Sequence, residues 1–318
     1  MSSKLVAALA VALLVPACAS EKGSSEKAVK AQGASTVTRA YGWKDSGLGY
    51  RAATTEHRAS GPEAIAVGPN GNVFVLDAMN ERVVRANGDT VTKVATIPRD
   101  ADDLAVSPDG AIAVRRSMKP QVLVFDKDGG LVGIVDTSAV EDVSGIGLGL
   151  SRRVTATNGF QETFLLGSPS VPQLPEAIRA NKREGAARIA NGDGVMVVKT
   201  ESELTLQVVR PGEERTTTVA KHAMGQGSAA RIVGVTGNVV CARVEHLRAP
   251  TAEGALQVQR EAVCIDATTG AERLRTRLPD PGAYVPRTEM TFANGTLAML
   301  APTESGVTVT TWNVGGAR

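Results

Sequence analysis

Three carboxylates carry the strongest chemical signal in this 318-residue chain. Glu63 precedes an apolar run, AIAV at 64–67. Asp102 stands 39 residues later, with Asp103 beside it, ahead of a second run, LAV at 104–106. Side chains at matching positions of neighbouring strands can converge at one end of a sheet assembly. Hard cations such as Ca²⁺ need several oxygen ligands, so Glu63, Asp102 and Asp103 form a candidate metal site. Acidic residues at repeated loop positions also accept hydrogen bonds from nearby backbone amides or stay solvated, and that reading stands beside the first.

Other chemistry is sparse. His57, His222 and His246 show no Ser-His-Asp order, and neither an HExxH motif nor a nucleophile elbow occurs. His57 and His222 read as exposed loop residues, and a Cys/His metal site with His246 lacks a fourth ligand. Cys241 (in VVCARV) and Cys264 (in AVCID) are symmetric about position 252, inside a long polar loop at 247–257. They should face each other across a ladder, and an exported chain would oxidise them to a disulfide. The glycine run at 145–150 has no following helix or Lys-Ser/Thr pair, which excludes a phosphate loop. Arg115, Arg116 and Lys119 make an outer loop basic, either as a solvated face or as a binding patch.

The elements that must position these groups recur. GPEAIAVGPNGNVFVLD at 61–77 returns as DADDLAVSPDGAIAVRR at 100–116, and RVVR at 82–85 as QVLV at 121–124. Asn-Gly and Asp-Gly mark the tight turns, because these residues tolerate positive φ. The turn anchors are Gly71, Gly110, Ser151, Gly194, Gly237 and Gly295, spaced 39, 41, 43, 43 and 58 residues apart. A period near 40 with several short strands is the signature of propeller blades. The expected fold is therefore all-β, a six-bladed β-propeller of four-stranded antiparallel blades. A sandwich of antiparallel meanders is the alternative. Residues 36–43 (TVTRAYGW) read as a strand that completes the last blade beside 307–312. Residues 168–183, with Pro172 and Pro175, read as an excursion with a short helix.

The first copy, with Gly61-Pro62-Glu63-Ala64-Ile65-Ala66-Val67, the Pro69-Asn70-Gly71 turn and Asn80-Glu81-Arg82-Val83, resembles an NHL-type repeat. The resemblance is good over 61–98 and fair over 100–137. It implies a propeller fold. Metal-dependent lactonase propellers use an early Glu in a place similar to Glu63, though their Asn and Asp partners from later blades have no counterpart here.

The N-terminus points to export. Lys4 precedes an 11-residue apolar run at 5–15, too short for a membrane span and suited to a signal peptide. Val15-Pro16-Ala17-Cys18 resembles a bacterial lipobox, which implies cleavage after residue 17 and acylation of Cys18 with chains such as palmitate. Without Asp after the cysteine, the chain resembles the class directed to the outer membrane. Residues 18–35 read as the lipidated cysteine and a flexible polar tether, and 36–318 as the propeller domain. A net charge of +2 shows no basic excess for nucleic acid, and 3% aromatic residues argue against a sugar-stacking face. The expected protein is a monomeric lipoprotein on the periplasmic face of the outer membrane. It would use no cofactor and would bind another envelope protein. The alternative is a metal-dependent hydrolase or lyase with one divalent cation, such as Ca²⁺, at the channel mouth.

Overall fold

The computed structural model describes residues 36–42, 47–200, 203–210, 216–223, 228–248, 257–280 and 284–315. Cys18, the leader and the tether lie outside them. The described residues belong to one compact unit, and no helix among them is long and apolar enough to cross a membrane.

Four-stranded antiparallel sheets follow one another along the chain. The first is Ala64–Val67, Val73–Asp77, Arg82–Asn87 and Thr90–Thr96. The second is Ala101–Val106, Ile112–Arg116, Gln121–Phe125 and Leu131–Asp136. In the third, Val143–Leu148, Val154–Asn158 and Glu162–Ser168 are followed by a divided outer position. Val171–Pro172 and Arg183–Glu184 both pair with Glu162–Ser168, and the helix Pro175–Ala180 lies between them in sequence. The fourth is Ala187–Arg188, Gly194–Lys199, Glu203–Val209 and Thr216–Ala223. The fifth is Ala229–Thr236, Val239–Arg248, Gln257–Asp266 and Glu272–Arg277.

The closing sheet joins both ends of the described chain. Met290–Ala293, Thr296–Pro302 and Gly306–Asn313 come from the C-terminal side, and Thr36–Gly42 pairs along Gly306–Asn313 from Thr36 opposite Trp312 to Gly42 opposite Gly306. The fifth and closing sets are linked by a single parallel bridge, Gly234 to Phe292, which makes them one eight-stranded sheet. The glycine is required there. Its φ is +158°, and a Cβ would lie 2.0 Å from the Phe292 carbonyl oxygen.

Burial follows the radial order of the strands. Ala64–Val67 and Val73–Asp77 are buried at every position, because sheets pack on both of their faces and no polar face is needed. Thr36–Gly42, an outermost strand, buries only Tyr41. The apolar clusters lie between neighbouring sheets. One joins Phe74 and Leu76 of the first to Leu104 and Ile112 of the second. Another joins Tyr41, Leu300 and Val309 of the closing sheet to Ile65 and Val75 of the first. Radial packing of successive sheets around one cavity makes this a β-propeller, and the sandwich alternative is set aside.

The turns refine the repeat. Asn70 and Gly71 take φ values of 57° and 74°, and Gly110, Gly237 and Gly295 are also left-handed. Ser151 and Arg152 occupy that region without glycine, at 56° and 57°. In the fourth sheet the anchor is Gly192, φ 91°, and not Gly194. Gly194 already pairs as a strand residue with Arg188 and Val209. The polar loop expected at 247–257 is also shorter, since the two strands run to Arg248 and resume at Gln257. Part of the wide last spacing instead lies in the link between Arg277 and Met290.

Candidate functional site

The first strands of the successive sheets surround a cavity of about 710 Å³. Ala66, Leu104, Ile146, Ala187, Ile232 and Met290 line it, one from each strand in turn. The repeat register places Glu63, Asp102 and Arg287 just ahead of, or at the start of, these strands, so they meet at one mouth.

Glu63 and Asp102 are brought together there. Burial raises the pKa of Glu63, the Asp102 charge raises it further, and the Arg287 N–H and guanidinium act in the opposite direction. Asp102 is held by cations. Its two oxygens accept a fork from Arg115, with Nε to Oδ1 at 2.9 Å and Nη2 to Oδ2, and Arg287 Nη1 lies 3.3 Å from Oδ2. Arg115 is therefore buried and turned inward, and Arg116 pairs with Asp100 at 3.0 Å. Neither forms the solvated basic loop that their sequence suggests. Each second-strand arginine finds a carboxylate on or just ahead of the first strand beside it.

Asp103 points elsewhere. It is buried, and its Oδ1 accepts from the Leu104 N–H at 3.0 Å and the Thr288 hydroxyl at 2.8 Å. Its Oδ2 accepts from the Ile146 N–H at 3.0 Å. One carboxylate thus ties the second sheet to the third and to the segment leading into the closing sheet. The Asp102 and Asp103 oxygens already face guanidinium, hydroxyl and amide donors, and among the described residues no cluster of three or more His, Cys, Asp or Glu could hold a metal.

Desolvation raises the Asp103 pKa, and its hydrogen bonds and Arg115 only partly offset that. A carboxyl whose folded pKa is raised contributes stability below its unfolded pKa and loses it as pH rises through the folded value. Asp103→Asn puts an amide group, a donor, against the Ile146 N–H, at a cost of about 1–3 kcal/mol. The wild type's advantage over this variant should be largest near pH ~4 and should narrow toward pH ~7, read as urea unfolding midpoints. An advantage that widened with pH would show that Asp103 is held ionised.

A second network seals the fifth sheet to the closing sheet. Glu289 Oε1 accepts from both Arg243 Nη1 and Arg260 Nη2. Glu245 lies 3.3 Å from Arg243 and 3.7 Å from Arg260. Arg231 and Arg188 also reach the cavity. None of these groups forms a motif in the sequence. Their one legible sign is a charge at the start of an apolar strand, as with Arg231 in AARIVGV and Glu289 before MTFA.

Cys241 and Cys264 stand directly opposite each other and are joined as a disulfide, both fully buried. Ser228 Oγ and His246 Nδ1 are 3.2 Å apart, but Ser228 is wholly buried, which closes its hydroxyl to a substrate.

No protein-family model matches the chain, and no curated protein matches it in sequence. Its architecture is similar to that of solved structures at low identity. A streptogramin B lyase is 10% identical, with a TM-score of 0.46 over 87% of this chain and 98% of that one. BamB from Moraxella catarrhalis is 12% identical, with a TM-score of 0.38 over 88% and 98%. The Cps50 (Swd1) β-propeller domain of Myceliophteria thermophila is 14% identical, with a TM-score of 0.41 over 84% and 100%.

Proposed function

We propose that the chain is a cell-envelope lipoprotein, held on the periplasmic face of the outer membrane by acyl chains on Cys18. Its six-bladed propeller acts as a protein-binding module. The observation that carries the binding role is the outer strand Leu131–Asp136. It pairs on one side only, with Gln121–Phe125, and it exposes Leu131 by 58% and Ile134 by 49%. Soluble proteins usually blunt such an edge with charge, proline or a bulge, and this strand has one bulge, at Val132, and one charge, at Asp136. Here LVGIVD runs beside a second apolar rim. Pro169 packs so tightly on Gly133 that a side chain there would come within 2.8 Å of it, and Val171 and Leu174 beyond it are exposed by 63% and 71%. An extended apolar segment of an envelope protein would add a strand here, with main-chain hydrogen bonds for affinity and the rim for selectivity.

The test separates anchoring from binding. Cys18→Ala should abolish labelling by palmitate and release the chain from the membrane fraction. Leu131→Lys with Ile134→Lys should leave labelling intact and abolish a reproducible cross-link to one envelope protein. An unlabelled wild type would remove the anchoring reading, and an undiminished cross-link in the double variant would remove the rim.

The second reading is the hydrolase or lyase centred on Glu63, Asp102 and Asp103. Its support is the upward shift of Glu63, which equips a carboxyl for proton transfer. A stoichiometric divalent ion retained after dialysis against metal-free buffer, and lost in Glu63→Ala, would favour it.

A further inference from the structure

We propose that the central cavity is a binding site for a small oxyanion, a molecule bearing carboxylate or phosphate groups, with Arg231 as its principal contact and Arg287 and Arg188 as secondary ones. The proposal is independent of membrane anchoring and of the rim.

The inference rests on how charge is distributed around the cavity. Arg188, Arg231, Arg243 and Arg287 line it, against Asp103 and Glu289. The arginines differ in what they already hold. Arg243 is matched by Glu289 and Glu245, and Arg287 by Asp102. Among the described residues Arg188 donates only to carbonyls, those of Gly192 at 3.3 Å and Glu184 at 2.9 Å. Arg231 donates from Nη2 to the Ser144 carbonyl at 2.9 Å, and among the described residues it has no carboxylate within 4.0 Å.

Arg231 is also the one placed for a ligand. Its side chain is open to the cavity, yet the surrounding strands desolvate it and lower its pKa, and the charges of Arg243 and Arg287 lower it further. Asp103 and Glu289 act in the opposite direction. Their oxygens, however, are engaged by Ile146, Leu104 and Thr288 and by Arg243 and Arg260 respectively. A guanidinium stays protonated under these conditions. The cavity wall thus carries an exposed guanidinium with no ion-pair partner among the described residues, in the field of two further arginines. An incoming oxyanion would relieve this, and a guanidinium fork suits carboxylate and phosphate equally.

The remaining wall suits a polar ligand body. Thr155 and Thr157 line the cavity, half-buried, and their hydroxyls make no hydrogen bond to other described residues. The volume of about 710 Å³ falls within the range of small-molecule pockets.

The test is calorimetric titration of the full chain with inorganic phosphate, citrate and glucose. Phosphate or citrate should bind and glucose should not. Whichever anion binds assigns the ligand's charged group. Arg231→Gln should weaken that anion by about 10- to 100-fold, the worth of a hydrogen bond to a charged group. Arg231→Lys should recover part of the loss, and Arg188→Gln should show a smaller one. Arg58→Gln, on an exposed loop away from the cavity, should bind as wild type does. Far-UV circular dichroism checks the fold of each variant, and Arg188→Gln carries the test if Arg231→Gln misfolds. Failure of both anions to bind, equal binding of glucose, or unchanged affinity in the folded Arg231 and Arg188 variants would overturn the proposal.

Discussion

Glu289→Ala should destabilise the protein by about 3–5 kcal/mol, the cost of removing one partner from a buried ion pair. The carboxylate is 5% exposed and Arg260 is 3% exposed. Both Arg260 and Arg243 donate to the same Glu289 oxygen. Truncation leaves two guanidinium groups, Arg260 buried and Arg243 facing the cavity, with Glu245 at 3.3 and 3.7 Å as their remaining carboxylate among the described residues. Glu289→Gln keeps an acceptor in place and loses only the charge, so its cost should be nearer about 1.5–3 kcal/mol. Replacing Glu289 and Arg260 together by Met should recover part of the loss, because apolar groups of similar volume carry no desolvation penalty. Urea unfolding of the three variants checks the order Ala worst, Gln intermediate and the double variant improved over Ala. A Glu289→Ala cost below about 1 kcal/mol would mean that water reaches the network and that the pairs are of the surface kind.

The location of this network explains why its loss should spread. Among the described residues the fifth and closing sheets share one backbone bridge, Gly234 to Phe292. Glu289 stands immediately before Met290–Ala293, while Arg243 and Arg260 come from the second and third strands of the fifth sheet. The ion pairs therefore add a side-chain tie beside the one backbone bridge that merges these two sheets. The same junction carries the apolar cluster of Cys241, Leu274, Phe292, Leu297 and Trp312. Opening it would expose the inner strand Met290–Ala293 of the closing sheet as a free edge.

What could be read from the residues alone was local. Asn70-Gly71 fixed a turn because few residues accept its dihedrals, and the buried runs AIAV and VFVLD followed from alternation with such turns. The pairing of residues 36–42 with the last strand was legible because the final repeat is one strand short. Convergence across the cavity was not legible. Arg231 meets Ser144, Arg287 meets Asp102 and Glu289 meets Arg243 and Arg260 only after separate sheets are closed into a ring, and no spacing rule connects them. Arg115 was misread for a related reason. It looks like a surface charge in IAVRR until Asp102 is seen beside it on the neighbouring strand. The fourth sheet hid its anchor because Gly192-Asp193-Gly194 offers two glycines and its first strand is only Ala187–Arg188. The cysteines were the exception among long-range contacts, because a symmetric hairpin ties register to sequence arithmetic.

That hairpin supports the second large effect. Replacing Cys241 and Cys264 together by Ala should cost about 2–5 kcal/mol. The bond closes a loop of sequence separation 23. The entropy of constraining such a loop in the unfolded chain comes to about 3 kcal/mol. Loss of two fully buried sulfurs adds a packing cost, since they abut Leu274, Leu278 and Met299. The strands they join, Val239–Arg248 and Gln257–Asp266, are each ten residues long. Unfolding midpoints of the oxidised chain and the double variant, measured with and without reductant, provide the check. The variant should unfold at lower urea and be indifferent to reductant. The wild type should shift toward it only after reduction, and slowly, because the sulfurs are shielded until the sheet opens. If reductant leaves the wild-type midpoint unchanged once free thiols are titrated, the bond contributes nothing beyond the hairpin's own pairing.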